Sequence, residues 1–148
     1  MRAGGWVVVA VALRALGAGA ADAPKPALRC ETAAKGTHAT FEVTVRGGAS
    51  LTVATADGVA TCPLQIRALK SRPKAALAMA LALDAAACKP ELPDAGAVLA
   101  DLVLRFEPRG EQRLPRGVAH WLKGQGPGQC AVSAWDRAAL DSLAQKRK

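Results

Sequence analysis

Apolar residues recur at every second position over much of this chain, the spacing of strands that bury one face. The clearest run is Thr40 to Arg46, where Phe41, Val43 and Val45 share one side and Glu42, Thr44 and Arg46 the other. Gly47-Gly48 follows, and glycine accepts the positive φ angles of a tight hairpin. Leu51 and Val53 continue on a second strand, and Asp57-Gly58 marks another hairpin. Cys62, Leu64 and Ile66 then line one face of a third strand, with Gln65 and Arg67 opposite. Leu28 and Cys30 belong to a strand before these, turning near Lys35-Gly36. Strands joined this tightly form a meander.

Residues 75–88 set composition against periodicity. Alanine, leucine and methionine favour helix, and Ser71 with Pro73 offers it a start. Leu77, Met79, Leu81 and Leu83 nonetheless alternate with alanines. Wound into a helix they would spread around the cylinder and leave no polar face, which only a wholly buried helix tolerates. A strand is therefore expected, its leucine face in the core and its alanine face covered by another layer or by backbone. Ala97 to Phe106 reads as a further strand, with Val98, Ala100, Leu102, Leu104 and Phe106 on one side and Asp101 and Arg105 on the other. Val118 to Lys123 and Gln129 to Ala134 form a last pair across Gly124-Gln125-Gly126-Pro127-Gly128. From Asp136 the period becomes helical: Asp136 caps, Leu140, Leu143 and Ala144 form an apolar stripe, and Lys146 to Lys148 suit the negative end of the helix dipole. The pattern predicts a mainly β fold, a two-layer antiparallel sandwich or small barrel of about 7–8 strands with a short C-terminal helix.

The first twenty residues break this pattern. Arg2, the apolar stretch Trp6 to Leu13 and the small residues Ala18-Gly19-Ala20 have the layout of an export signal, with cleavage expected after Ala20. The stretch falls short of the roughly 20 apolar residues of a membrane span, so no transmembrane segment is expected in the mature chain. The organisation expected is a signal peptide at 1–20, a flexible segment at 21–27, a disulfide-linked β-domain at 28–135 and a helix with a basic tail at 136–148. A secreted or periplasmic location follows, and the Ala, Gly and Arg content hints at a bacterial source.

Cysteine spacing fits that address. Cys30, Cys62, Cys88 and Cys130 are separated by 32, 26 and 42 residues, whereas zinc sites draw ligands from close pairs such as C-x-x-C. Two disulfides are expected, with no metal and no cofactor. Four cysteines allow three pairings and the spacing does not choose among them; the working expectation joins Cys30 to Cys62 and Cys88 to Cys130.

Charge adds one feature. The formal charge is +8, falls to +6 without Arg2 and Arg14, and to +3 without the terminal Lys146-Arg147-Lys148. Arg67, Lys70, Arg72 and Lys74 crowd one connection, and Arg109, Arg113 and Arg116 share another with Glu107 and Glu111. If these connections meet at one end of the domain, they present a surface for an acidic protein or a polyanion. Nucleic acid is the weaker partner, because base stacking needs aromatic platforms and the chain has no tyrosine, two phenylalanines at expected core positions and two tryptophans beyond the expected signal. His120, between Val118 and Leu122 on its strand face, reads as a partly buried histidine with a backbone partner, and His38 as a turn residue. Neither sits beside a nucleophile motif such as G-x-S-x-G. Gly124 to Gly128 lacks the Lys-Ser/Thr of a phosphate loop. The sequence thus points to an exported, non-enzymatic β-domain that binds another protein through exposed loops. The alternatives are a polyanion or envelope-surface binder using residues 67–74 and the tail, and a small secreted hydrolase.

Overall fold

The computed structural model describes residues 25–34, 36–72, 76–92, 97–110 and 113–147. The expected export signal and its cleavage site, the start of the 21–27 segment, Lys35, Lys74, Glu111 and Lys148 lie outside the described residues.

Eight strands run antiparallel around a closed barrel: β1 (Pro26–Ala34), β2 (Thr37–Thr44), β3 (Ala49–Thr55), β4 (Gly58–Ser71), β5 (Leu77–Leu83), β6 (Val98–Glu107), β7 (Arg116–Leu122) and β8 (Gly128–Trp135). Each pairs with the next in the chain, and β8 closes the ring on β1 through Leu28↔Trp135, Arg29↔Ala134, Cys30↔Val132 and Glu31↔Ala131. The helix α1 (Arg137–Lys146) follows, capped by the Asp136 carboxylate, which accepts from the Ala139 N–H at 3.1 Å. Of the two architectures expected, the barrel forms. His38 belongs to β2, paired with Ala54, and not to a turn.

Eight strands enclose a space that side chains just fill. Phe41, Phe106, Leu28, Leu51, Leu77, Met79, Leu81, Leu102 and Leu104 occupy it, all fully buried. Phe41 meets Trp121 edge-on with ring centroids 6.4 Å apart, and Phe106 packs on Trp135 at 5.2 Å. Gly117 faces inward among them. A Cβ there would stand 2.5 Å from the Cys130 carbonyl oxygen and 3.0 Å from the Phe106 ring, so the absent side chain is what admits Phe106.

Closure removes the second layer that the alanine face of residues 75–88 was expected to meet. The strand is as predicted, with Leu77, Met79, Leu81 and Leu83 buried, but Ala78, Ala80 and Ala82 lie half-buried on the outer wall. Ala100 departs too: the β6–β7 register is irregular between Val98 and Val103, and Ala100 is exposed. Two other irregularities restore burial. An extra residue, Arg67, in β4 opposite β5 turns Leu69 inward after Leu64, and an extra Ser133 in β8 opposite β1 turns Trp135 toward the core, as a bulge does by shifting the pleat one step.

The two mouths differ. α1 lies across one, burying Leu140, Leu143 and Ala144, with a Leu143 methyl 3.3 Å from where a Cβ on Gly47 would be. At the other, the β5–β6 connection turns through a short 3-10 helix (Ala85–Ala87), pairs Lys89 with Thr61 and buries Cys88 and Leu92.

The disulfides join Cys30 to Cys130 and Cys62 to Cys88, correcting the expected pairing. Cys30 and Cys62 are successive cysteines along the chain but stand on β1 and β4, three strands apart, whereas closure brings β1 beside β8 and sets Cys30 and Cys130 with Cα atoms 5.4 Å apart.

Non-reducing peptide mapping is expected to recover these two links and neither of the expected ones. Because the stabilisation grows with the loop closed, replacing Cys30 and Cys130 by alanine should cost about 4.7 kcal/mol, against about 3.5 kcal/mol for Cys62 and Cys88, in denaturant titration. Gly117→Ala should destabilise by about 2 kcal/mol or more in the same measurement, since the clash is with backbone.

Candidate functional site

In an up-and-down barrel, alternate connections share an end. The β2–β3, β4–β5 and β6–β7 connections therefore lie at one end with α1, and the β1–β2, β3–β4, β5–β6 and β7–β8 connections at the other. The two basic segments read from the sequence fall at the same end. Lys70, Arg72, Arg109, Arg113 and Arg116 are exposed there, joined by Arg46 of the β2–β3 hairpin, Lys146 of α1 and Arg147, which caps its C-terminus. Among the described residues the acids at that end are Glu107, Asp136 and Asp141, while the opposite end sets Asp57, Asp84 and Glu91 against Lys89 and Lys123. The barrel is electrically polar along its axis.

Arg137 ties this end together. Its Nε donates to Asp141 Oδ1 at 2.9 Å, and its Nη2 to Ser71 Oγ at 2.8 Å and to the Arg72 carbonyl. Ser71 Oγ in turn donates to Asp141 Oδ1, and the Arg147 guanidinium to the Ile66 carbonyl. The helix is thus hooked at both ends to β4. Arg137 also borders a small hollow of about 220 Å³ with Pro108, Gly110, Arg113, Pro115 and Trp135, so the two basic connections adjoin through it. A groove of about 630 Å³ between β4 and α1 carries Lys70 and Arg72 on its rim with Asp141.

Not every predicted residue joins this surface. Arg67, at its bulge, lines a separate groove on the outer wall with Gln65 and Asp84, and Lys74 lies outside the described residues. Arg109 and Arg116 face another way as well, into a cleft of about 560 Å³ over β8 shared with Glu31, His38 and Gln129. His120 is half-buried on the outer wall opposite Val103, which is itself exposed. All four cysteines are paired, and among the described residues no three His, Cys, Asp or Glu side chains cluster as metal ligands. No described helix is long and apolar enough to cross a membrane.

Sequence reading missed the Ser71–Arg137–Asp141 cluster, although Arg137 and Asp141 carry the i,i+4 spacing of a helical ion pair. It also missed the cleft over β8, whose walls come from residues more than seventy positions apart, Glu31 and Arg109. Comparison with protein-family models, curated proteins and solved structures finds no match to this chain.

Removing the Arg137 guanidinium leaves the Asp141 carboxylate and Ser71 hydroxyl without it. Arg137→Ala and Asp141→Ala should each cost about 1–2 kcal/mol and, combined, less than the sum of the two, which a double-mutant cycle by urea denaturation measures.

Proposed function

We propose that this is an exported, non-enzymatic binding domain that engages another protein through its helix-capped basic end, and that the partner presents an acidic face. The observation carrying this reading is convergence. Lys70 and Arg72 of the β4–β5 connection, Arg113 of the β6–β7 connection, Arg46 of the β2–β3 hairpin and the cations at the end of α1 come to one end of a barrel whose interior is filled by side chains. Export is supported by the signal-like N-terminus and by two disulfides, which persist in oxidising compartments. Arginine-rich surfaces recognise carboxylates in bidentate geometry, and opposed charge speeds association and selects the partner more than it adds affinity.

A second reading is favoured by the tail. Lys146 and Arg147 extend the cationic surface beyond the loops, as contact with an anionic polymer or envelope surface would require. The two readings separate experimentally. Immobilised protein, exposed to the native extracellular or periplasmic fraction, is expected to retain an acidic protein at low salt, and a Lys70→Gln/Arg72→Gln/Arg113→Gln variant to lose it. Retention of the same protein by the variant overturns the use of this end. Under the polyanion reading, binding to heparin weakens with salt and the slope of log affinity against log salt falls by up to about 3 in the triple variant, one for each lost contact. An unchanged slope rejects that reading.

A further inference from the structure

The cleft over β8 is a second surface whose charges the basic-end reading does not use. Its volume of about 560 Å³ lies within the range of small-ligand sites. Strand order places β8 between β7 and β1, so β8 is the floor, with Gln129, Ala131 and Val132. Arg109 and Arg116 form one wall, and Glu31 with His38 the other.

The register fixes how these walls stand. Glu31 pairs with Ala131, and Gly117 with Cys130. One residue beyond Gly117, Arg116 comes to the far side of the same Ala131, with an exposed side chain like that of Glu31. Two inter-strand spacings separate their backbones, roughly 10 Å. Because the residue between them is alanine, nothing fills the space. The ion pairs among the described residues lie elsewhere, Arg105 with Glu107 and Arg137 with Asp141, so Glu31 and Arg116 do not neutralise each other. Arg109 is held on the rim by its Nε, which donates to the Leu114 carbonyl at 3.1 Å.

Two guanidinium groups facing a carboxylate across a small, partly apolar floor are complementary to a molecule that carries both charges. We propose that this cleft binds a small zwitterion of dipeptide size, its carboxylate on Arg109 and Arg116 and its ammonium on Glu31. His38 and Gln129 stand where they meet the polar groups between. A simple anion is disfavoured by Glu31, and a simple cation by the arginines.

Alanyl-alanine, its N-acetyl derivative and its C-terminal amide are the probes, followed by amide chemical shifts of the isotope-labelled protein. Alanyl-alanine is expected to bind saturably at a roughly millimolar dissociation constant, as suits so few atoms, with shifts centred on Glu31, His38, Ala131 and Arg116. Both derivatives should bind about tenfold more weakly. Arg116→Gln should lower affinity for the dipeptide about tenfold and erase its advantage over the amide; Glu31→Gln should erase its advantage over the N-acetyl form. Equal binding of all three probes, failure to saturate, or shifts centred on Lys70 and Arg72 overturns the proposal. Should a variant fail to fold, the three-probe comparison on the unaltered protein decides alone. Loss of acidic-partner capture in the basic-end variant leaves these results untouched, so the two readings fail separately.

Discussion

Every other feature of this molecule depends on the meeting of its first and last strands. A sheet has edges until it closes, and edges expose unpaired backbone groups. Here the closure is made by four paired positions between β1 and β8 and by the sulfur bond between Cys30 and Cys130. β7 and β8 share only three paired positions, Gly117↔Cys130, Val118↔Gln129 and Ala119↔Gly128, the shortest ladder of the ring. The covalent link sits beside that weak seam. Gly117 allows Phe106 to fill the space next to it, so packing, backbone pairing and covalent bonding coincide there.

Much of the fold was legible because the period of two survives wherever one face meets the core. Phe41 with Val43, Leu51 with Val53, and the leucines of β5 all entered the interior as their alternation required. Capping by Asp136 and the Leu140, Leu143, Ala144 stripe were readable for the same reason, since helix ends and faces are local. What local pattern does not encode is phase and closure. The bulges at Arg67 and Ser133 each move the inward parity by one, so Leu69 and Trp135 are core-facing at positions that a strict alternation assigns to solvent. The disulfide partners depended on which strands become neighbours when the ring shuts, and the alanine face of β5 on whether a second layer exists. The basic end was half legible: the runs of cations were visible, but their convergence follows from strand parity, and the divergence of Arg67, Arg109 and Arg116 from the direction of side chains around the wall.

A barrel whose interior is filled by side chains presents its outer wall to other molecules. Its wall is one sheet thick, and the outward residues are short in places, notably Ala78, Ala80 and Ala82 on β5 and Ala131 on β8. Short side chains on a curved sheet leave hollows between longer ones, which is how clefts arise without any cavity in the core. Charge then distinguishes these surfaces, with an excess of cations around α1 and opposed charges over β8. The Arg137 cluster seats the helix against the end of β4, so that the backbone bearing Lys146 and Arg147 lies near that bearing Lys70 and Arg72.

The bond between Cys30 and Cys130 also sets how the molecule bears load. Tension applied between residues 25 and 147 reaches the sulfurs after only a few residues of β1 on one side and after α1 and the end of β8 on the other. The 100-residue span between the two cysteines is bypassed, so pulling peels the helix from its mouth and then stops at a covalent stay. A domain tethered by its ends in a turbulent medium would stretch by its tail while its barrel stayed shut.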